Sequence, residues 1–301
     1  MTCRKFIPTC KLPIRYTHGH EMINLRKVRF INRRYKKAIA IALDKFLGNK
    51  RQRLIAAVLF LSFGLFVSEY FLGKSGIFVV FLLSALADFF LFLALYNDLK
   101  ENFYPQIFIL PFLFSLAFGL FYLLIPARFL TRVVMTSLYG VGLYSLFLSI
   151  NIFAVSSIRT IALLSSARTV SFVIALLSYF FLSNVVFSFH SNIFVTLFLI
   201  LAFTFPMVLA SVWTYTLEPN IRANLIWTVS ISSLILESAM ILWFWPSTPT
   251  LISLFLTGIF YTLVGLSQAW FEKRLFRGVI LEYFWVSIVA FVILIFFTVW
   301  S

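Results

Sequence analysis

From Leu54 onward the chain is a succession of apolar runs, each about as long as a bilayer's hydrocarbon core is thick. They lie near residues 54–72, 76–96, 105–126, 131–156, 168–188, 192–216, 223–245, 250–271 and 278–299. About 20 apolar residues cross that core as a helix, at a rise of about 1.5 Å each. In hydrocarbon every backbone N–H and C=O has to be satisfied by protein, which leaves helices or a closed barrel. The period-two alternation of barrel strands is absent. The expected fold is therefore an all-α polytopic integral membrane protein with nine transmembrane helices. Composition agrees: 62% of residues are hydrophobic and 12% charged, with mean hydropathy +1.00. Soluble domains carry about 25% charged residues. The 39 phenylalanines read as lipid-facing and packing residues.

Residues 1–53 are different. They hold fifteen lysines and arginines against only Glu21 and Asp44, in a chain with 25 bases and 10 acids in all. A basic run ahead of the first span resists translocation, so this arm is expected on the cytoplasmic side. It is also drawn to anionic head groups, with Arg33, Arg34, Lys36 and Lys37 as the expected contacts. Tyr35, Ile39, Leu43, Phe46 and Leu47 share one helical face, which predicts an interfacial helix near 34–48 ended by Gly48. Nucleic-acid binding is the competing use of such a block, but no recognition motif accompanies it and none is expected. Residues 1–21 show no periodicity, and Met22 is an alternative start. The domain division is thus a basic arm, 1–53, and a helical bundle, 54–301. Secretory and transit peptides fit less well: the arm has no serine and no small-residue cleavage site follows the first span.

The loops agree with this orientation. Those on the arm's side carry Lys100, Arg159, Arg168, Arg222, Lys273, Arg274 and Arg277, whereas the other side carries Lys74, Arg128 and Arg132. Nine spans put the C-terminus outside. Trp243, Trp245, Trp270 and Trp300 lie at span ends, as interfacial aromatics do. Every loop is too short to house a catalytic domain.

An ionisable side chain within a span is a site hypothesis by default, since a charge at mid-bilayer costs about 2.5–3.5 kcal/mol even on the mild insertion scale. Asp88 in the second span and Glu237 in the seventh are the strongest examples, with Asn151 as a polar companion. Both acids are expected to face the bundle interior and to share a water-accessible cavity that serves a small-molecule or ion substrate. The bland alternative is a hydrogen-bonded or arginine-paired carboxyl. Glu282 is expected to pair with Arg277 or Lys273. Ser149, Ser183, Asn184, Ser232 and Gln268 are explained by interhelical hydrogen bonds. Pro111 and Pro206 lie inside apolar runs and are expected to kink them. Gly119-Leu-Phe-Tyr-Leu-Leu124 echoes Gly258-Ile-Phe-Tyr-Thr-Leu263, a spacing that an inverted repeat would give.

Chemistry is thinly signalled. Cys3, Cys10, His18 and His20 lack zinc-site spacing, and no disulfide framework is expected. No P-loop, nucleophile elbow, zincin helix or Mg2+-binding acid cluster occurs, so no cofactor is implied and a lipid-modifying enzyme ranks last. A transporter using the intramembrane acids ranks first. A scaffold whose arm docks lipid or a cytoplasmic partner ranks second.

The run from Pro126 to Leu182, with Arg159-Thr160 and Ala167-Arg168-Thr169 flanking the fifth span, resembles uncharacterised multi-spanning bacterial membrane proteins. The resemblance implies a bacterial inner membrane and no activity.

Overall fold

In the computed structural model, the described residues are 50–72, 76–95, 105–125, 129–156, 163–217 and 221–298. The helices follow the apolar runs. They are α1 (Lys50–Leu72), α2 (Gly76–Leu95), a 3-10 turn (Pro105–Phe108) leading into α3 (Ile109–Leu124), and α4 (Phe129–Ser156). Then come α5 (Leu164–Ser188), α6 (Ile193–Thr216), α7 (Ile221–Trp243), α8 (Pro249–Phe271) and α9 (Arg277–Phe297). Among the described residues there is no strand, and nine helices are long and apolar enough to cross a membrane. The expected interfacial helix near 34–48, with Arg33, Arg34, Lys36 and Lys37, lies outside the described residues.

The compact unit treated below begins at Arg53. Arg168 near the start of α5 reaches the end of α6, Asn184 near its end reaches the start of α8, and Gly76 and Gly119 meet Leu123 and Val80 across α2 and α3, so these helix pairs run antiparallel. One end of this unit is marked by Arg168, which reaches Glu272; the other by Asn184, which bonds Thr250. Arg53, Arg168, Lys273, Arg274 and Arg277 belong to the Arg168 end, and Arg132 to the opposite one.

The centre is α5. It packs against α3, α4, α6 and α8, and it is the most deeply buried helix. Its aromatic Tyr179 stacks on Phe260 at 4.4 Å and meets Phe203 edge-on at 5.3 Å. On its other side Phe181 stacks on Phe121 at 4.2 Å. At the periphery, α9 packs mainly on α8 and buries only Leu294 of its own length.

Glycines set the closest approaches. A Cβ on Gly119 would lie 2.5 Å from Val80 Cγ1, so the bare backbone of α3 packs there on the Val80 side chain of α2. Gly258 meets Ala290 of α9. The two echoed glycines thus face differently, one toward the preceding helix and one toward the following helix. The echo marks two close helix contacts rather than equivalent places in a repeat.

Two expected edges moved. Arg168 was read as the start of the fifth span, but α5 begins at Leu164, so Arg168 lies one turn inside. Its guanidinium is tied to protein and need not be in the loop. Pro111 sits in the first turn of α3, where an amide N–H has no intrahelical acceptor, so it interrupts nothing. Pro206 is inside α6, as its place in the run predicts.

Candidate functional site

The 3-10 turn before α3 does more than start a helix. Pro105 opens it and places Gln106 inward, 3% exposed. Four more segments converge on that amide. Ile150 and Phe153 come from the end of α4, Ser171 from the start of α5, Ser211 and Thr214 from the end of α6, and Gln268 from the end of α8. Between them is a cavity of about 20 Å³, measured as the room open to a water molecule's centre. That is enough for one water.

The chemistry of the lining is hydrogen bonding without charge. Both amide atoms of Gln106 and the hydroxyl of Ser171 are buried with no protein partner. Each such group costs about 1–3 kcal/mol if left unpaired. Three unpaired polar atoms around one small cavity can hydrogen-bond a guest of about a water's size.

Directly beneath lies a charged clamp. Arg168 donates from Nε to the Thr214 carbonyl at 3.0 Å and from Nη2 to the Tyr215 carbonyl at 3.2 Å. Its Nη1 is 3.5 Å from Glu272 Oε1, and its guanidinium lies 4.7 Å over the Tyr215 ring. The last carbonyls of a helix lack intrahelical donors and carry partial negative charge, which a cation satisfies well. Leu217 then ends α6 in the left-handed region at φ 49°. One arginine thus fixes α5, α6 and α8 together below the cavity.

From this cavity a line of buried polar groups follows α5. Ser178 donates to the Ile174 carbonyl, and Tyr179 exchanges a hydrogen bond with Thr204 at 3.2 Å. Ser183 is fully buried, one helical turn from Tyr179. Asn184 donates to Thr250 at 3.2 Å. The line ends at a second cavity of about 190 Å³, lined by His190, Ser191, Thr196, Trp243 and Ser247 among others. His190 sits there at φ 46°, with Nδ1 donating to the Ser188 carbonyl at 3.0 Å.

The residues singled out from sequence lie elsewhere. Asp88 is half-buried on α2, and its Oδ1 is buried without a hydrogen-bond partner. Glu237 is exposed on α7, contrary to the interior position expected of it, on one stripe with Ser230, Leu234 and Ile241. Its helix packs chiefly on α6 and α8, whereas α2 packs chiefly on α3. Neither acid lines either cavity. Asn151 is half-buried on α4, next to the lining residue Ile150. The three are not gathered into one site. Glu282 is exposed, and the acid paired at that end is Glu272, 3.7 Å from Arg274 as well as bound to Arg168.

Gln106 escaped notice because it stands at the edge of an apolar run, where a polar residue is ordinary. The available signal was Pro105, which favours a first helical position and so places Gln106 inside a helical start rather than in a loop. No group of three or more metal-ligating side chains occurs among the described residues.

Nine apolar helices among the described residues, one of them central and buried, with amides and hydroxyls between them, fit a polytopic membrane protein. The chain belongs to the DUF5656 family of proteins of unknown function, whose model matches residues 50–297. No curated protein and no solved structure matches it.

Proposed function

We propose that this protein is a membrane transporter for a small, neutral, hydrogen-bonding solute, and that its path follows α5. The observation that carries the reading is the run of buried polar groups from Gln106 and Ser171 to Ser183 and Asn184, with a cavity at each end. Buried polar groups in a bilayer are costly and mark pathways when they line one. The lining offers amides and hydroxyls, so the solute is one that exchanges hydrogen bonds rather than charge. Tyr179, Phe203 and Phe260 close the path midway, as in an occluded state. The Arg168 end, richer in bases, faces the cytoplasm, and the C-terminus lies outside. The basic arm and its head-group contacts hold the protein to the anionic inner leaflet.

The aromatic closure also favours a second reading, a packed scaffold with no path. Cysteine labelling separates the two. With Cys3 and Cys10 replaced by serine, Ser171→Cys, Ser178→Cys and Ser183→Cys are each exposed to a membrane-impermeant thiol reagent. A transporter gives labelling of Ser171→Cys from the arm's side and Ser183→Cys from the other. Ser178→Cys reacts slowly from both. If all three stay unreactive in intact membranes yet react once denatured, the scaffold stands instead.

Orientation has its own check. A reporter active only in the cytoplasm is expected to give signal when fused at the N-terminus or after Lys273, and none after Ser301. Signal after Ser301 would require an even number of crossings.

A further inference from the structure

A groove of about 380 Å³ opens between α7 and α8 at the Arg168 end. Trp227 and Trp270 stand at its mouth, ring centroids 6.3 Å apart. Seven residues further along each helix, Leu234 and Leu263 form the far end. At helical rise the groove is therefore about 10 Å deep. Its walls are apolar in effect: the Ser267 hydroxyl, the polar group on α8, already donates to the Val264 carbonyl at 2.6 Å.

The mouth is basic. Leu275 and Ile280 close one side of it; Leu275 lies in the α8–α9 turn with Lys273 and Arg274, and Ile280 in the first turn of α9, which opens at Arg277. All three cations are exposed, Arg274 to 74%. Opposing them are Glu272, shared with Arg168, and the exposed Glu282, so positive charge is in excess. Tryptophan belongs at head-group level and bases attract anionic head groups, and here both stand where an apolar slot begins.

Resting on the membrane reading above, but not on transport, we propose that this groove holds the upper part of one acyl chain of an anionic phospholipid. Its phosphate sits among Lys273, Arg274 and Arg277. A second copy of the chain is the other occupant of such a slot. A two-fold contact on this face would bring the same basic turn from both copies together, and like charges oppose that.

The test uses the purified full chain, delipidated in a neutral detergent. Phosphatidylglycerol and phosphatidylcholine with identical acyl chains are titrated, with bound lipid counted by native mass spectrometry and stability followed by Tm. Phosphatidylglycerol is expected to bind at least tenfold more tightly, and glycerol phosphate without acyl chains to shift nothing. Replacing Lys273, Arg274 and Arg277 together by glutamine is expected to weaken phosphatidylglycerol binding about tenfold, leaving only what the arm's bases contribute, and to leave phosphatidylcholine binding unchanged. Ser230→Trp, which fills the groove from an exposed position, weakens both lipids about tenfold. The arm's bases are present in every variant, so the differences report on the groove alone. Equal binding of the two lipids by the native chain overturns the proposal, as does a preference that the triple replacement leaves undiminished. A doubled mass abolished by Ser230→Trp would put a second copy in the groove and overturn it too. The labelling experiment can fail while this result stands.

Discussion

Replacement of Arg168 by leucine is expected to lower stability by about 2–4 kcal/mol, on the scale of stripping one partner from a largely buried ion pair. The side chain is 18% exposed and its partner Glu272 28%. Leucine keeps the apolar stem but leaves the Thr214 and Tyr215 carbonyls without a donor and Glu272 with only Arg274. Lysine is expected to recover less than half of the loss, since a single ammonium cannot reach two carbonyls and a carboxylate in a planar fork. Glu272→Gln should cost less than Arg168→Leu, because both carbonyl bonds remain. Unfolding of the detergent-solubilised protein measures all three. If Arg168→Leu falls within about 0.5 kcal/mol of the native chain, or Glu272→Gln costs as much, the clamp is not what holds this end. A local effect should accompany the global one. Thr214 lines the 20 Å³ cavity, so releasing the end of α6 should open it and speed thiol labelling of Ser171→Cys.

The spans were legible because the bilayer imposes one strong rule: an apolar run of sufficient length is a helix. Local exceptions needed tertiary information. Leu164 starts α5 a turn before its first charge, and Arg168 is satisfied there by carbonyls at the end of α6, 46 residues away in sequence. The site was less legible. Sequence reasoning ranked residues by the cost of burying their charge and so favoured Asp88 and Glu237. That cost says a residue needs cover, but not which face of its helix supplies it. Glu237 shares its outward stripe with Ser230 and Leu234, and α7 turns the opposite stripe, with Ile231, Ile235 and Leu242, into the core. Neutral groups such as Gln106 and Ser171 carry a weaker individual signal. They matter because five segments bring them to one point, and no local pattern encodes that convergence.

The largest packing effect is expected at Gly119, and a comparison with Gly265 tests the reason. A Cβ at Gly119 would lie 2.5, 2.8 and 3.1 Å from Val80 Cγ1, Cγ2 and Cβ. At Gly265 it would come closer still, 2.3 Å from Tyr283 Cε1. Distance alone ranks Gly265→Ala as the worse change. The neighbours reverse that order. Val80 is fully buried, and a β-branched side chain in a helix has one strongly preferred rotamer. It cannot turn away, so α2 itself must retreat from α3 and loosen the matching contact of Gly76 with Leu123. Tyr283 is only half-buried, and the clash is with the far part of its ring, so a rotation at its own side chain relieves it. Gly119→Ala is expected to cost about 1–3 kcal/mol, the range for overpacking a tight contact, and Gly265→Ala clearly less. Val80→Ala in the Gly119→Ala background should recover more than half of the loss, giving a coupling of about 1 kcal/mol or more in a double-mutant cycle. Unfolding midpoints in a single detergent provide every term. A larger loss at Gly265 than at Gly119, or a null cycle between Gly119 and Val80, would show that these helices yield as easily as a side chain turns.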